Sequence, residues 1–241
     1  MNIFIDPVLF NFFGLQIKWY GVAYLLGYFT CRFYLLQNLK KDYSIELLDK
    51  LISLIFLFGL IGGRLGYIFF YSKDKITFLN IISFWKGGMS FFGGFLLSGI
   101  YLFYASQIFN IDFFKISNEI IKKLPIGLGL GRFANFINGE ISGRVFIYKG
   151  ILYRHPVQLY SLLLEGIVLY LLLNSKRKQN ATKYFFIYYG IIRIILDFFR
   201  DTESSMFLQN SLIEITYGQV FGLISLVIGL IIKRDLQTKQ F

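Results

Sequence analysis

The sequence predicts an all-α, polytopic membrane bundle of about seven spanning helices, folded as one domain over residues 1–241, with the N-terminus outside and the C-terminus in the cytoplasm. Three observations carry that prediction. The chain is 56% hydrophobic and 20% aromatic, whereas soluble domains reach about 45–50% apolar by a count that also includes glycine. Its apolar residues fall into long runs, several approaching the roughly 20 residues that a spanning helix needs. Its basic residues alternate from side to side between those runs, as the positive-inside rule requires. A soluble helical core would not need so many long apolar runs.

Residues 1–18 mix Phe10, Phe12, Phe13 and Ile17 with Asp6, Pro7 and Gly14, an interfacial pattern. A basic start and a cleavage site are missing, so the first span is expected to act as an uncleaved insertion signal. The spans follow at about 19–36, 51–71, 89–109, 124–137, 157–173, 184–199 and 217–232. The fourth is short and glycine-rich, which suits a helix buried among others or a broken one. With no internal repeat and no low-complexity linker, one domain is expected.

Lys40, Lys41 and Lys50 follow the first span, Lys115, Lys122 and Lys123 the third, and Lys176, Arg177, Lys178 and Lys183 the fifth, while Lys233, Arg234 and Lys239 close the tail. These mark the cytoplasmic side. The opposite loops hold Lys73, Lys75, Lys86, Arg144, Lys149, Arg154 and Arg200, diluted by Asp74, Glu140, Asp201, Glu203 and Glu214. The net charge of +11 therefore encodes topology, and no nucleic-acid partner is expected. Cys31 is the only cysteine, which excludes an internal disulfide and suits a small buried hydrophobe. With one histidine and one cysteine, no metal site is readable, and no cofactor is expected.

The densest chemical signal is Gly131-Arg132-Phe133-Ala134-Asn135-Phe136-Ile137-Asn138-Gly139-Glu140, followed by Gly143. A charge at bilayer depth costs about 2.5–3.5 kcal/mol on insertion scales, so it implies a partner, a wet cavity or a substrate. One guanidinium, two amides and a carboxylate within a dozen residues read as a polar pocket for an anionic ligand near the outer surface. Arg193 and Asp197 stand four apart on the sixth span and share a face, either as a structural ion pair or as half of an active site. Arg200 at the same interface reads as a snorkelling cation. Arg64, after Gly62-Gly63, is another intramembrane charge, open to binding or pairing. The paired glycines of Gly87 to Gly94 allow close approach of a ligand or a neighbouring helix. His155, in Arg154-His155-Pro156, is either a hydrogen-bonded structural group or a base.

The string from Gly131 to Gly143 resembles the signature of the prolipoprotein diacylglyceryl transferases. Trp19-Tyr20-Gly21, Gly62-Gly63-Arg64, Gly87 to Gly94, Arg154 to Tyr160 and Tyr189 to Arg200 follow that family's order, so the likeness spans nearly the whole chain. The resemblance implies a seven-helix enzyme of the bacterial inner membrane, with its site open to the periplasm and the lipid. Its substrates would be phosphatidylglycerol and the signal peptides of prolipoproteins. The diacylglyceryl group would move to the lipobox cysteine thiol, giving a thioether and glycerol phosphate.

On that reading Arg132 and Arg193 hold the phosphate and stabilise the leaving group, since guanidinium forks bind phosphate bidentately. Glu140 and Asp197 join them as catalytic candidates. Asn135, Asn138 and Glu140 would bind head-group hydroxyls or orient the arginines. Gly143, Tyr20, Tyr189, Arg64 and His155 complete the substrate-binding set. Phe92 stands where many members have histidine, Asp197 where glutamate is usual, and Ser161 where glutamate is frequent. Either that histidine is dispensable and the arginines lower the thiol pKa from its usual 8.5 or so, or another group takes the proton, or activity is reduced. With the arginines and the signature intact, activity is expected to persist. An anion transporter would also place arginines at depth, but it would usually carry a repeat. A non-catalytic scaffold would tolerate loss of Arg132.

Overall fold

A computed structural model describes residues 6–12, 15–71, 77–82, 88–175, 180–201, 206–209 and 214–232. The basic clusters at 176–178 and 233–239, and the segment holding Lys73, Asp74, Lys75 and Lys86, lie outside the described residues.

The chain is mainly helical: α1 (Trp19–Leu39), α2 (Ile45–Phe70), a short α3 (Phe78–Ile82), α4 (Phe91–Ile108), α5 (Phe113–Ile137), α6 (Val157–Asn174), α7 (Ala181–Asp197) and α8 (Tyr217–Ile231). Among the described residues three helices are long and apolar enough to cross a membrane: α2, α4 and α6. The start signals are legible: Ser44, Ser90 and Asp112 accept backbone N–H groups at the starts of α2, α4 and α5, and Thr216 forms a capping box with Gln219 at α8.

The fourth apolar span differs from its sequence reading. α5 does not begin at Leu124 but eleven residues earlier, at Phe113. Asp112 caps it at 2.9 Å from the Lys115 N–H. Lys122 pairs with Glu119 at 2.6 Å, and the buried Lys123 donates to Asn174 at 2.9 Å while lying 4.2 Å from the centre of the Tyr34 ring. Lys115, Lys122 and Lys123 are therefore helical rather than loop residues. Their charges are absorbed by partners, so they do not end the helix.

Strands also appear where the sequence reading has none. Short antiparallel hairpins join β1 (Val8–Phe12) to β2 (Leu15–Lys18), β3 (Val145–Tyr148) to β4 (Ile151–Arg154), and β5 (Met206–Gln209) to β6 (Glu214–Thr216). The β3–β4 turn holds Lys149 at φ 49° and Gly150 at φ 77°. Two successive positive-φ residues are what a two-residue hairpin turn demands.

Packing is arranged as α2 against α4, α7 against α8, and α5 against α1, α6 and α7. Paired glycines set the first contact. A Cβ on Gly62 would lie 2.4 Å from the Gly93 carbonyl oxygen, and one on Gly93 would lie 2.3 Å from that of Gly62. Of the two readings left open for these glycines, the structure displays approach to a neighbouring helix. Polarity runs inside out relative to a soluble protein. Arg64, Asn135, Glu165, Arg193 and Asp197 are buried, while Phe69, Leu96, Leu171 and Leu230 are each more than 60% exposed. That distribution fits lipid as the solvent, because water would strip apolar groups from the surface.

Gly62→Val should lower the thermal midpoint in detergent by overpacking the α2–α4 contact, at about 1–3 kcal/mol. Gly99→Ala, with nothing within 4 Å of its added carbon, should leave the midpoint unchanged in the same melting experiment.

Candidate functional site

A cavity of about 980 Å³ runs between the helices. Its walls are mostly aromatic and aliphatic, with Phe91, Phe92 and Phe95 of α4 among them, and its polar wall holds Tyr20, Arg132, Asn135 and Tyr189.

The C-terminal turns of α5 build the polar wall. The helix ends with Asn138 as its cap and Gly139 in the left-handed region at φ 66°, a favoured helix stop. That reversal folds Glu140 back onto α5. Asn135 donates to the Glu140 carboxylate at 2.9 Å and Asn138 at 3.2 Å. Asn135 also donates to the Tyr20 hydroxyl, and the Gln158 amide to the Glu140 carbonyl. Ile141 follows at φ 60°, a strained state for a β-branched residue that persists only where its surroundings impose it.

Those surroundings are a short ladder. Gly143 bridges Arg200, the Arg144 N–H donates to the Phe199 carbonyl at 2.8 Å, and the Asp201 N–H donates to that of Ser142 at 2.9 Å. The His155 N–H donates to the Arg144 carbonyl at 3.1 Å. A Cβ on Gly143 would lie 2.0 Å from the His155 carbonyl oxygen, so only glycine fits there.

Arg132 sits one turn before the end of α5. Its Nε donates to Glu165 Oε2 at 2.6 Å. Its two terminal nitrogens have no hydrogen-bond partner among the described residues, and the residue lines the cavity. Glu165, fully buried, belongs to a π-helical stretch of α6, Leu162–Val168; such stretches occur often at functional sites. α6 comes close because Gly166 meets Gly129 of α5: a Cβ on Gly166 would lie 2.9 Å from the Gly129 Cα. Sequence reading missed Glu165. The signal was there, a lone carboxylate inside the apolar run Leu162-Leu163-Leu164-Glu165-Gly166-Ile167-Val168.

Arg193 stands elsewhere. It pairs with Asp197 at 2.9 Å along α7, and the Thr216 hydroxyl donates to the same carboxylate. Gly218 of α8 covers the pair: its Cβ would lie 2.2 Å from Asp197 Oδ2. Both partners are buried, and neither lines the cavity. The ion pair that one of the two sequence readings expects is present. Arg200, just past α7, lies 4.0 Å from the same carboxylate. Burial first, and then the charge of Arg193, push its guanidinium down to about 10, so it stays charged at neutral pH.

Arg64 is also engaged away from the cavity, donating to the Asn80 carbonyl at 2.8 Å and that of Gly88 at 3.2 Å. His155 faces the Tyr160 hydroxyl at 3.4 Å and the Phe146 ring at 4.5 Å. Neither lines the cavity. Phe92 stacks on Phe221 at 4.6 Å and lies 5.8 Å from Tyr189, an apolar surface where a histidine would bring a base. The structure thus gathers Tyr20, Arg132, Asn135 and Tyr189 at the cavity, hydrogen-bonds Glu140 to Asn135 and Asn138, and places Gly143, Arg64, His155, Arg193 and Asp197 off the cavity wall.

A family model described as prolipoprotein diacylglyceryl transferase matches residues 7–233. The phosphatidylglycerol–prolipoprotein diacylglyceryl transferase of Wigglesworthia glossinidia brevipalpis is 36% identical, the match covering 94% of each chain. The protein of the same name from Glaesserella parasuis is 37% identical over 95% of this chain and 91% of its own.

Asp197→Ala would leave Arg193 buried without its carboxylate. Breaking a buried pair from one side costs about 3–5 kcal/mol, so thermal unfolding in detergent should shift by that amount, while the exposed pair Arg154–Asp201 at 2.8 Å should contribute less than about 1 kcal/mol in the matching Asp201→Ala variant.

Proposed function

The chain belongs to the prolipoprotein diacylglyceryl transferase family, and on that premise we propose that it moves the diacylglyceryl group of phosphatidylglycerol onto the lipobox cysteine of prolipoproteins. It is a transferase of lipoprotein maturation. The carrying observation is the free terminal fork of Arg132 at the polar wall of an otherwise apolar cavity.

That arrangement suits an amphiphile with an anionic head. Acyl chains take the aromatic and aliphatic wall, and the phosphate takes the guanidinium, which binds two oxygens at once and keeps its charge in poor solvent. In the reaction the cysteine sulfur attacks the glycerol carbon that bears the phosphate ester. The C–S bond forms, the C–O bond breaks, and glycerol phosphate leaves with the bonding pair. Negative charge grows on the departing oxygen, where a fixed cation lowers the barrier most. The thiol proton passes to solvent or to the leaving phosphate. With Phe92 in the wall, positive charge rather than a histidine favours the thiolate. Arg193 and Arg200 contribute to that field from behind the wall, and Glu140, held by two amides, fixes the Asn135–Tyr20 link. Asp197 keeps Arg193 in place.

We further propose that α1, α2, α4, α5, α6, α7 and α8 all span the membrane as one domain. The N-terminus and the β3–β4 hairpin would then be periplasmic and the C-terminus cytoplasmic, in a multi-pass protein of the bacterial inner membrane. Lys149 at the hairpin tip tests the orientation. In a Cys31→Ser background, Lys149→Cys should react in intact spheroplasts with a membrane-impermeant maleimide, and Lys41→Cys should react only after lysis.

The transfer itself is tested by mixing purified protein, phosphatidylglycerol and a lipobox peptide, and reading the diacylglyceryl adduct by mass spectrometry. The parent should give the adduct, and Arg132→Ala should reduce its rate about 10²–10³-fold with the protein still folded. A folded parent that yields no adduct overturns the proposal.

A further inference from the structure

We infer that Glu165 is a positioning residue: it clamps Arg132 by the Nε edge so that the two terminal nitrogens are presented, pre-aimed, to the lipid phosphate. The inference rests on the reading of Arg132 as the phosphate grip.

A guanidinium offers five donors on two edges. An arginine on a helix facing an open cavity would keep several rotamers, and holding it in one for catalysis loses side-chain freedom. Here that freedom is removed before substrate arrives. The Nε edge is occupied at 2.6 Å by a carboxylate that is itself fully buried. A carboxylate on the terminal nitrogens would block the phosphate; on Nε it does not.

The fold reserves three features for this clamp. The Gly129–Gly166 contact brings the α6 backbone against α5 one turn before Arg132. The π-helical stretch turns Glu165, next to that contact, toward α5. Leu169 and Leu173, also fully buried, close the interior beyond it. The second Glu165 oxygen and the Tyr189 hydroxyl are both buried without a hydrogen-bond partner. Among the described residues no other side chain is hydrogen-bonded to the Glu165 carboxylate. A buried carboxylate left half unpaired is unfavourable for folding, so its retention points to a task at the cavity.

The test measures kcat and KM separately for phosphatidylglycerol and for the lipobox peptide in mixed micelles. The variants are Glu165→Gln and Glu165→Ala, each made in the parent and in Arg132→Lys. Glutamine still accepts from Nε but carries no charge, so Glu165→Gln should lose about tenfold in kcat/KM for the lipid, because charge-assisted bonds are about twice as strong as neutral ones. Glu165→Ala should lose about a hundredfold, the effect of misplacing a binding group by about 1 Å. KM for the peptide should not change in either. Lysine has no Nε edge to clamp, so in the Arg132→Lys background the Glu165→Gln change should have no further effect.

Glu165→Gln equal to the parent, or the same loss repeated in the lysine background, overturns the clamp. A loss confined to thermal stability, with KM for the lipid unmoved, overturns it as well, and Glu165→Gln decides if Glu165→Ala does not fold. Should Arg132→Ala match the parent, the phosphate reading beneath the clamp fails instead, and the two failures are distinct.

Discussion

The contact on which the site depends is the buried ion pair between Arg132 and Glu165. Removing either partner would leave an uncompensated charge in a low-dielectric interior, at a cost of about 3–5 kcal/mol. Each partner therefore requires the other across the α5–α6 contact. The pair is also directional, because a carboxylate at Nε leaves the opposite edge of the guanidinium exposed to the cavity. Two glycines make it possible: with side chains on both Gly129 and Gly166, the helices would stand too far apart for Glu165 to reach.

The same logic recurs around the cavity at lower intensity. Gly218 admits α8 over the Arg193–Asp197 pair, Gly143 admits the chain beneath His155, and Gly62 and Gly93 lock α2 to α4. In lipid no hydrophobic force presses helices together, so small residues and polar links supply the specificity. The Arg132–Glu165 and Arg193–Asp197 pairs both lie next to a glycine that lets neighbouring helices close. The apolar remainder of the interior, with Phe91, Phe92 and Phe95 against Phe185 and Tyr189, shapes a space fit for hydrocarbon.

Positive charge in this arrangement is layered. Arg132 lines the cavity, Arg193 lies off its wall within its own ion pair, and Arg200 lies beside the same carboxylate with its proton affinity lowered by burial and by Arg193. On the proposed reading, a phosphate entering the cavity would meet Arg132 directly, with Arg193 and Arg200 off the cavity wall. That division explains why the sequence set of candidates splits into residues on the wall and residues that support it.

Much of this was legible in the residues themselves. Length and composition of the apolar runs located the long helices, since a spanning helix must hide about 20 residues of backbone polarity within itself. The cluster Arg132, Asn135, Asn138 and Glu140 announced the site, because charge and amides at depth are too costly to keep without a use. Tertiary structure alone decided how those groups pair. Which carboxylate meets Arg132 depends on α6 packing against α5, and Glu165 lies thirty-three residues away. That α5 can bury Lys123 in mid-helix depends on its meeting Asn174 and Tyr34 on neighbouring helices. The ladder from Ser142 to Arg144 depends on backbone bonds with Phe199 and Asp201, far along the chain. A sequence records which charges must be neutralised; only the packed fold supplies the neighbours that neutralise them, because ion-pair energies fall away over a few ångströms, a range set by contact and not by order along the chain.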